Sequence, residues 1–252
     1  MIYTYHTQKQ QAFYDQFYGE GRSHVDQKVL EGIKEYFIHR FLDRTIKDDS
    51  AKILEIGCGD GLLTGYLLAR DLRVHAVDIS AVGIARLKSG YRSYIESGQL
   101  VAECDEIVNF LSKTRQKFDL IIGAGIIHHI DKKEWPTFFS AIHRNLNKGG
   151  MLGCGPEPNA NLPYCLFWQL AQLVYERIYH IPYDREVEKG TLDMKSNDLL
   201  RGLLLAGFSH AQIKPFHVLP HFSCALLARL DKRLVESVSG RFAMYTIIEA
   251  QK

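Results

Sequence analysis

The sequence predicts a doubly wound α/β domain, a mostly parallel sheet with helices on both faces, with helical lid insertions added to it. Three observations predict it. Short buried strands alternate with amphipathic helices from Lys52 to Cys154. A glycine-rich turn, Glu55-Ile56-Gly57-Cys58-Gly59-Asp60-Gly61, stands between the first strand and the first helix of that alternation. The 252 residues are 46% apolar and 24% charged, enough for one large core that needs neither disulfides nor metals.

The elements follow in chain order. Val25, Val29, Ile33, Phe37 and Phe41 recur at a four-residue step with charged residues between them, which is the pattern of an amphipathic helix. Residues 1–47 are therefore expected to form an N-terminal helical cap, and residues 48–252 the main domain. Strands are expected at Lys52–Ile56, Val74–Val77, Leu100–Glu103, Phe118–Ile122 and Met151–Cys154. Helices are expected between them at Leu63–Arg70, Ala81–Ser97, Glu106–Ser112 and Lys133–Leu146. After Gly155-Pro156 the alternation loosens into a lid insertion at about 157–195, with an aromatic-rich helix at Leu162–Tyr179. A helix at Ser196–Ala206, N-capped by the Ser196 hydroxyl and ended by Gly207, leads to a strand at Ala211–Lys214. A second insertion at about 216–240, amphipathic over Leu226–Val238, precedes a last strand at Ala243–Glu249, expected at the sheet edge. That makes seven strands.

Composition narrows the function classes. With 31 Lys+Arg against 29 Asp+Glu the net charge is +2, and no five-residue run is uniformly basic, so a nucleic-acid backbone is a disfavoured partner. Cys58, Cys104, Cys154, Cys165 and Cys224 lie far apart with no Cys-x-x-Cys pair, which points to free thiols in a reducing compartment and to no metal site. The start of the chain lacks a secretory pattern, and the longest uncharged apolar stretch, Leu162–Tyr175, is too short to span a bilayer and carries Gln169 and Gln172. The expectation is a cytoplasmic protein without a transmembrane segment, as a monomer or homodimer.

The turn after the first strand carries most of the functional information. Glycine permits a sharp turn and removes the side chain that would keep a ligand away from main-chain amides at a helix start. In an open doubly wound sheet the ligand sits at the carboxyl ends of the strands, which is where Gly57, Gly59 and Gly61 fall. Asp78 ends the next strand 21 residues after Gly57, at the distance where an acid accepts from two ribose hydroxyls. Both signals fit an adenosine-containing ligand, and by themselves they leave a nicotinamide or flavin dinucleotide open. A dinucleotide fingerprint would place its third glycine at Leu62, one position beyond Gly61.

These residues resemble the class I S-adenosylmethionine-dependent methyltransferases, in their small-molecule branch, from about Ala51 to Met151. Glu55, Gly57, Gly59 and Gly61 match the acid-x-Gly-x-Gly-x-Gly segment that wraps the methionine half of the cofactor in that family, and Asp78 matches its ribose acid. Cys104-Asp105 resembles the site of the adenine acid, although Glu106 follows where a small residue is commoner. Phe118–Ile122 with Ile126-Ile127-His128-His129-Ile130-Asp131 resembles the fourth strand and its loop, and Leu146-Asn147-Lys148-Gly149-Gly150 the turn into the fifth, without the proline often found there. The resemblance implies a Rossmann-like seven-stranded sheet with an antiparallel last strand. It implies S-adenosylmethionine as cofactor, held by Glu55, Gly57, Cys58, Gly59, Gly61, Asp78, Ile79, Asp105, Glu106 and Ala124.

Methyl transfer from a sulfonium requires alignment, exclusion of water and, for a hydroxyl or amine, a base. His128 and His129 follow the fourth strand at the cofactor end; either supplies that base or only shapes the turn. Tyr14, Tyr18, Tyr164 and Trp168 stand out in an aromatic lid of the kind that lines small-molecule pockets, and Glu157-Pro158-Asn159 resembles family members acting on quinones, lipids or natural products. A small, largely apolar acceptor is expected. The alternatives are a non-catalytic cofactor-binding module, a nicotinamide reductase, and a nucleic-acid methylase, whose Asn/Asp-Pro-Pro-aromatic signature is replaced here by Gly123-Ala124-Gly125-Ile126.

Overall fold

The computed structural model describes residues 5–21, 41–46, 50–161, 190, 193–217, 230, 233–234, 243 and 245–252. The helix expected from Val25 lies outside them except for Phe41, as do the aromatic-rich helix with Tyr164 and Trp168, most of Leu226–Val238, and Cys165 and Cys224.

Helix α1 (Tyr5–Gly19) leads the chain. Strands β1 (Lys52–Ile56), β2 (Arg73–Asp78), β3 (Leu100–Cys104) and β4 (Phe118–Gly123) then alternate with α2 (Leu62–Leu68), α3 (Ala81–Gly90), α4 (Arg92–Glu96) and α5 (Ile107–Lys113). Two 3₁₀ turns, Ile127–His129 and Lys132–Glu134, precede α6 (Trp135–Asn145), β5 (Leu146–Pro158), α7 (Ser196–Leu205), β6 (His210–His217) and β7 (Tyr245–Gln251). The strands form one seven-stranded sheet in the order β3-β2-β1-β4-β5-β7-β6. The pairs from β3 to β5 are parallel, and β7 runs antiparallel to both β5 and β6. Strand order reverses between β1 and β4, and the crevice at that switch point is where such sheets take ligands.

Alternation along the strands divides the core into two layers. Leu54, Ile56, Val77 and Ile121 face the layer of α5, α6 and α7, with Phe110, Trp135, Phe138 and Leu203. Ile53, Val74, Ala76, Leu120 and Ile122 face the layer of α2 and α3, with Leu67, Ile84, Leu87 and Phe41. Strands covered on both faces read as near-continuous apolar runs, which is why they were legible.

Several expectations need correction. The last strand is not at the edge: β7 lies between β5 and β6. Thr246 through Ala250 are all buried on β7, whereas Ala211 through Phe216 on β6 are half-buried and include Pro215, a residue a central strand excludes. The helix expected over Ala81–Ser97 breaks at Gly90-Tyr91, and the Tyr91 ring lies against Gly61 and Gly65, where a Cβ would collide with it. Ser196 is the first helical residue of α7, and Lys195 stands at its N-cap; the Ser196 hydroxyl instead accepts from Asn161 Nδ2 at 2.9 Å. Strand β5 begins at Leu146, so the Asn147–Gly150 turn is an irregularity within it. On the α2 face, Glu249 accepts from Arg44 at 2.6 Å, Gln212 at 2.8 Å and Lys214 at 3.0 Å, tying residues 41–46 to the last two strands. Among the described residues, no helix is long and apolar enough to cross a membrane.

Candidate active site

The glycine turn runs from the end of β1 to the start of α2. Gly57, Gly59 and Gly61 have φ of 67°, 54° and 97°, left-handed values that strain any residue with a Cβ, so the glycine spacing is a backbone requirement. The Gly57 amide donates to Val77 O at 2.8 Å, and the Gly59 amide to Asp78 Oδ2 at 2.8 Å, binding the turn to the end of β2. The other Asp78 oxygen accepts from the Ser80 amide at 2.8 Å, and the Asp78 carbonyl accepts from the Asp105 amide at 3.0 Å. One chain of hydrogen bonds thus joins three of the expected cofactor positions.

The acids around this turn carry unusual electrostatics. Glu55 is 2% exposed and accepts from the Thr64 hydroxyl at 2.6 Å; burial pushes its carboxyl up to about 8. Burial also raises the Asp78 carboxyl, against the lowering effect of the Ser80 and Gly59 amides. Among the described residues no Lys or Arg pairs with either acid. A buried carboxyl and a half-buried one, both without a cation, fit a ligand that brings a positive charge and hydroxyl donors, as S-adenosylmethionine does.

The remaining expected cofactor residues are placed as follows. Glu106 is the N-cap of α5 and accepts from Val108 N at 2.9 Å and Asn109 N at 2.8 Å, so its carboxylate is committed to the helix start. Asp105 Oδ1 accepts from the Glu106 amide at 2.9 Å and from Asn109 Nδ2 at 2.6 Å. Ile79 and Ala124 lie at the carboxyl ends of β2 and β4. Cys58 is buried in the turn and its thiol is pushed well up by burial, which leaves it unreactive.

Helix α1 lies across these strand ends. Asp15 accepts from the Ser80 hydroxyl at 2.6 Å and the Val82 amide at 3.2 Å, and Arg86 donates to the Tyr18 carbonyl at 3.1 Å. Tyr18 is buried against Gly59, and burial with the Asp78 and Asp60 carboxylates pushes its phenol well up. Tyr14, one helical turn earlier, places its hydroxyl 2.9 Å from Nε2 of His129, while Gln10 donates to the His129 carbonyl at 2.9 Å. The two lid tyrosines of α1 therefore reach different places, one the cofactor turn and the other the histidine pair.

His128 and His129 occupy the 3₁₀ turn after β4, with ring centroids 3.9 Å apart. His128 Nδ1 lies 2.7 Å from Oε2 of Glu157, which is fully buried on β5. Glu157 also accepts from the amides of Ile126 at 2.8 Å, Ile127 at 2.9 Å and His128 at 3.3 Å. Burial alone would raise its pKa, but the imidazole and the amides outweigh it and hold the carboxyl below the usual range. Sequence reasoning took Glu157 only as a sign of acceptor class. The expected strand ends at Cys154 and puts Glu157 in the lid insertion, whereas β5 runs on through it to Pro158. Among the described residues no cluster of His, Cys, Asp or Glu is arranged to hold a metal.

Comparison with known proteins agrees with this geometry. Residues 53–150 match the family model described as a methyltransferase domain. An uncharacterized methyltransferase of Schizosaccharomyces pombe is 28% identical over 117 residues, 44% of this chain and 43% of that protein. A ubiquinone biosynthesis O-methyltransferase of Aromatoleum aromaticum is 28% identical over 124 residues, 42% of this chain and 50% of that protein. The chain thus spans half or less of the length of these relatives. The crystal structure of magnesium protoporphyrin IX methyltransferase from Synechocystis PCC 6803 with bound S-adenosylhomocysteine shares the fold, with a TM-score of 0.59 at 16% identity, over 96% of this chain and 94% of that one. Residues 53–150 thus match a methyltransferase domain, and the fold is that of solved S-adenosylmethionine-dependent methyltransferases.

Proposed function

We propose that the chain methylates a hydroxyl, or an amine or carbon, of a small and largely apolar molecule such as a quinone, a lipid precursor or a natural product. The observation that carries this reading is α1 laid across the strand ends, with Tyr18 on the glycine turn and Tyr14 on His129. An aromatic helix that roofs both the turn and the histidine pair excludes water and offers flat apolar surface to a ring or chain. Two of the similar proteins act, by their names, in ubiquinone biosynthesis and on a magnesium porphyrin, both ring compounds with apolar bodies.

When bound, S-adenosylmethionine supplies a methyl group on a sulfonium. Glu55, the Gly57–Gly61 turn and Asp78 hold and orient the nucleoside and its methionine arm, with Asp105 at the adenine end and Ile79 and Ala124 beside them. A base from the His128–His129 pair takes the acceptor proton as the new bond to the methyl carbon forms. Tyr14 steadies His129, and α1 keeps water from competing.

Incubation with label in the transferable methyl group and a panel of acceptors tests the proposal. Label should pass to phenols and other ring-bearing hydroxyl compounds. Transfer confined to highly charged acceptors or to nucleic acid overturns the apolar assignment, and cofactor binding with no transfer to any compound of a cell extract identifies a binding module instead.

A further inference from the structure

We infer that Asn109 is a positioning residue for selection of the cofactor's base: by holding one oxygen of the Asp105 carboxylate it presents the other to the exocyclic amino group of adenine, and so makes the chain reject a 6-oxo purine. The inference rests on the proposed reading, in which Asp78 takes the ribose and Asp105 stands at the adenine end. Two acids follow β3, and Asn109 engages both. Its amide donates to Glu106 Oε2 at 2.8 Å while the Val108 amide donates to Oε1 at 2.9 Å, which keeps the Glu106 carboxylate over the first turn of α5. Its side-chain Nδ2 donates to Asp105 Oδ1 at 2.6 Å, and the Glu106 amide donates to the same oxygen at 2.9 Å. A carboxylate only accepts, so the Asn109 atom that faces it is the NH₂. Rotation of the Asp105 carboxylate would break these bonds.

The other oxygen, Oδ2, takes no hydrogen bond among the described residues. The Lys113 ammonium stands 3.5 Å from it, beyond hydrogen-bond length, on a side chain that is 57% exposed. Solvent screens such a pair, so a ligand displaces the lysine at little cost. The backbone puts this oxygen beside the ribose acid: the Asp105 amide donates to the Asp78 carbonyl at 3.0 Å. In the sheet, β2 lies between β1 and β3, so with the methionine arm on the glycine turn of β1 the β3 side of Asp78 is left for the base. An adenine amino group there donates to Oδ2. The carbonyl of hypoxanthine would set a second acceptor against it and leave both without a donor.

Calorimetry at neutral pH with two probes, S-adenosyl-L-homocysteine and S-inosyl-L-homocysteine, reads this selection. Wild type should bind the adenine compound about 10- to 100-fold more tightly. Asn109→Asp is isosteric but acceptor-only, so it repels Asp105 instead of holding it, and an acid in the first turn suits the start of α5. Its preference for adenine should fall to about threefold or less, through weaker binding of the adenine compound alone. Asn109→Leu removes the donor without adding charge and should give the same loss. Equal weakening of both probes, as a merely structural residue would give, or an unchanged preference in Asn109→Leu, overturns the inference. Asp105→Ala should abolish the preference by itself, and adding Asn109→Leu to it should change nothing further, because both act through one oxygen. A preference that survives Asp105→Ala means that the base is read elsewhere, which overturns the inference and leaves methyl transfer to an apolar acceptor standing. Failure of wild type to bind either probe overturns the cofactor site and the inference with it.

Discussion

Asp78 Oδ2 accepts from the amide of Gly59 at 2.8 Å, so the acid at the end of β2 props the glycine turn at the end of β1. The two signals that the sequence offers as separate contacts to one cofactor are a single hydrogen-bonded unit. Asp78→Ala should therefore remove ligand contacts worth about 1.5–3 kcal/mol each and also release the turn. Affinity for S-adenosylhomocysteine should fall more than about tenfold by calorimetry, with the fold retained. Asn at this position keeps one acceptor oxygen and should lose less; unchanged binding in both variants would return Asp78 to a purely structural role.

Glu55 sets a pH dependence. Its carboxyl is raised from 4.5 to about 8 by burial, so the folded chain keeps a proton that the unfolded chain has released between those values. Stability contributed by this group is complete below pH 4.5, is lost as pH rises toward about 8, and is level above that. Glu55→Gln keeps an acceptor for the Thr64 hydroxyl and removes the titration. Its melting temperature, without ligand, should fall less than that of wild type as pH is raised through this window; parallel curves would refute the assignment.

The lid should loosen by itself. Asp15 holds α1 to α3 through the Ser80 hydroxyl and the Val82 amide, contacts worth about 1 kcal/mol each in net terms. In Asp15→Ala, amide exchange over Tyr5–Gly19 should quicken while β1 and β4 keep their protection. Quickening spread over the sheet would show that α1 opens only with global unfolding.

Gly59 tests the contact between lid and turn. An alanine there is strained by the φ of 54° and meets the Tyr18 hydroxyl. Gly59→Ala should weaken S-adenosylhomocysteine binding and speed exchange in α1. Tyr18→Phe in the same chain should recover the exchange protection but not the strain, so the two changes should be non-additive in calorimetry and exchange alike. Strict additivity would mean that Tyr18 and the turn act independently.

Most of the glycine turn and of the parallel strands around it was legible because their determinants are local. A glycine at positive φ is required by the backbone of that one residue, and a strand buried on both faces shows as a short, mostly apolar segment, as in Lys52–Ile56 and Phe118–Gly123. Helix ends were less legible. Lys195 holds the N-cap expected of Ser196, and Tyr91 breaks a helix that periodicity alone carries to Ser97, because its ring finds bare backbone on α2.

The amino-acid sequence by itself determined the parallel strands, the glycine turn after the first of them, the acid at the end of the neighbouring strand and the match of residues 53–150 to a methyltransferase domain. Such features show in the backbone needs of single residues and in short apolar segments, where steric and hydrophobic preferences act without knowledge of the rest of the chain. Tertiary structure alone decided that β7 enters between β5 and β6, that Tyr14 meets His129 across 115 residues, and that Glu157 holds His128 across 29. Those partners are selected by burial and by the cost of leaving a buried polar group unpaired, conditions that exist only after the sheet has closed over them.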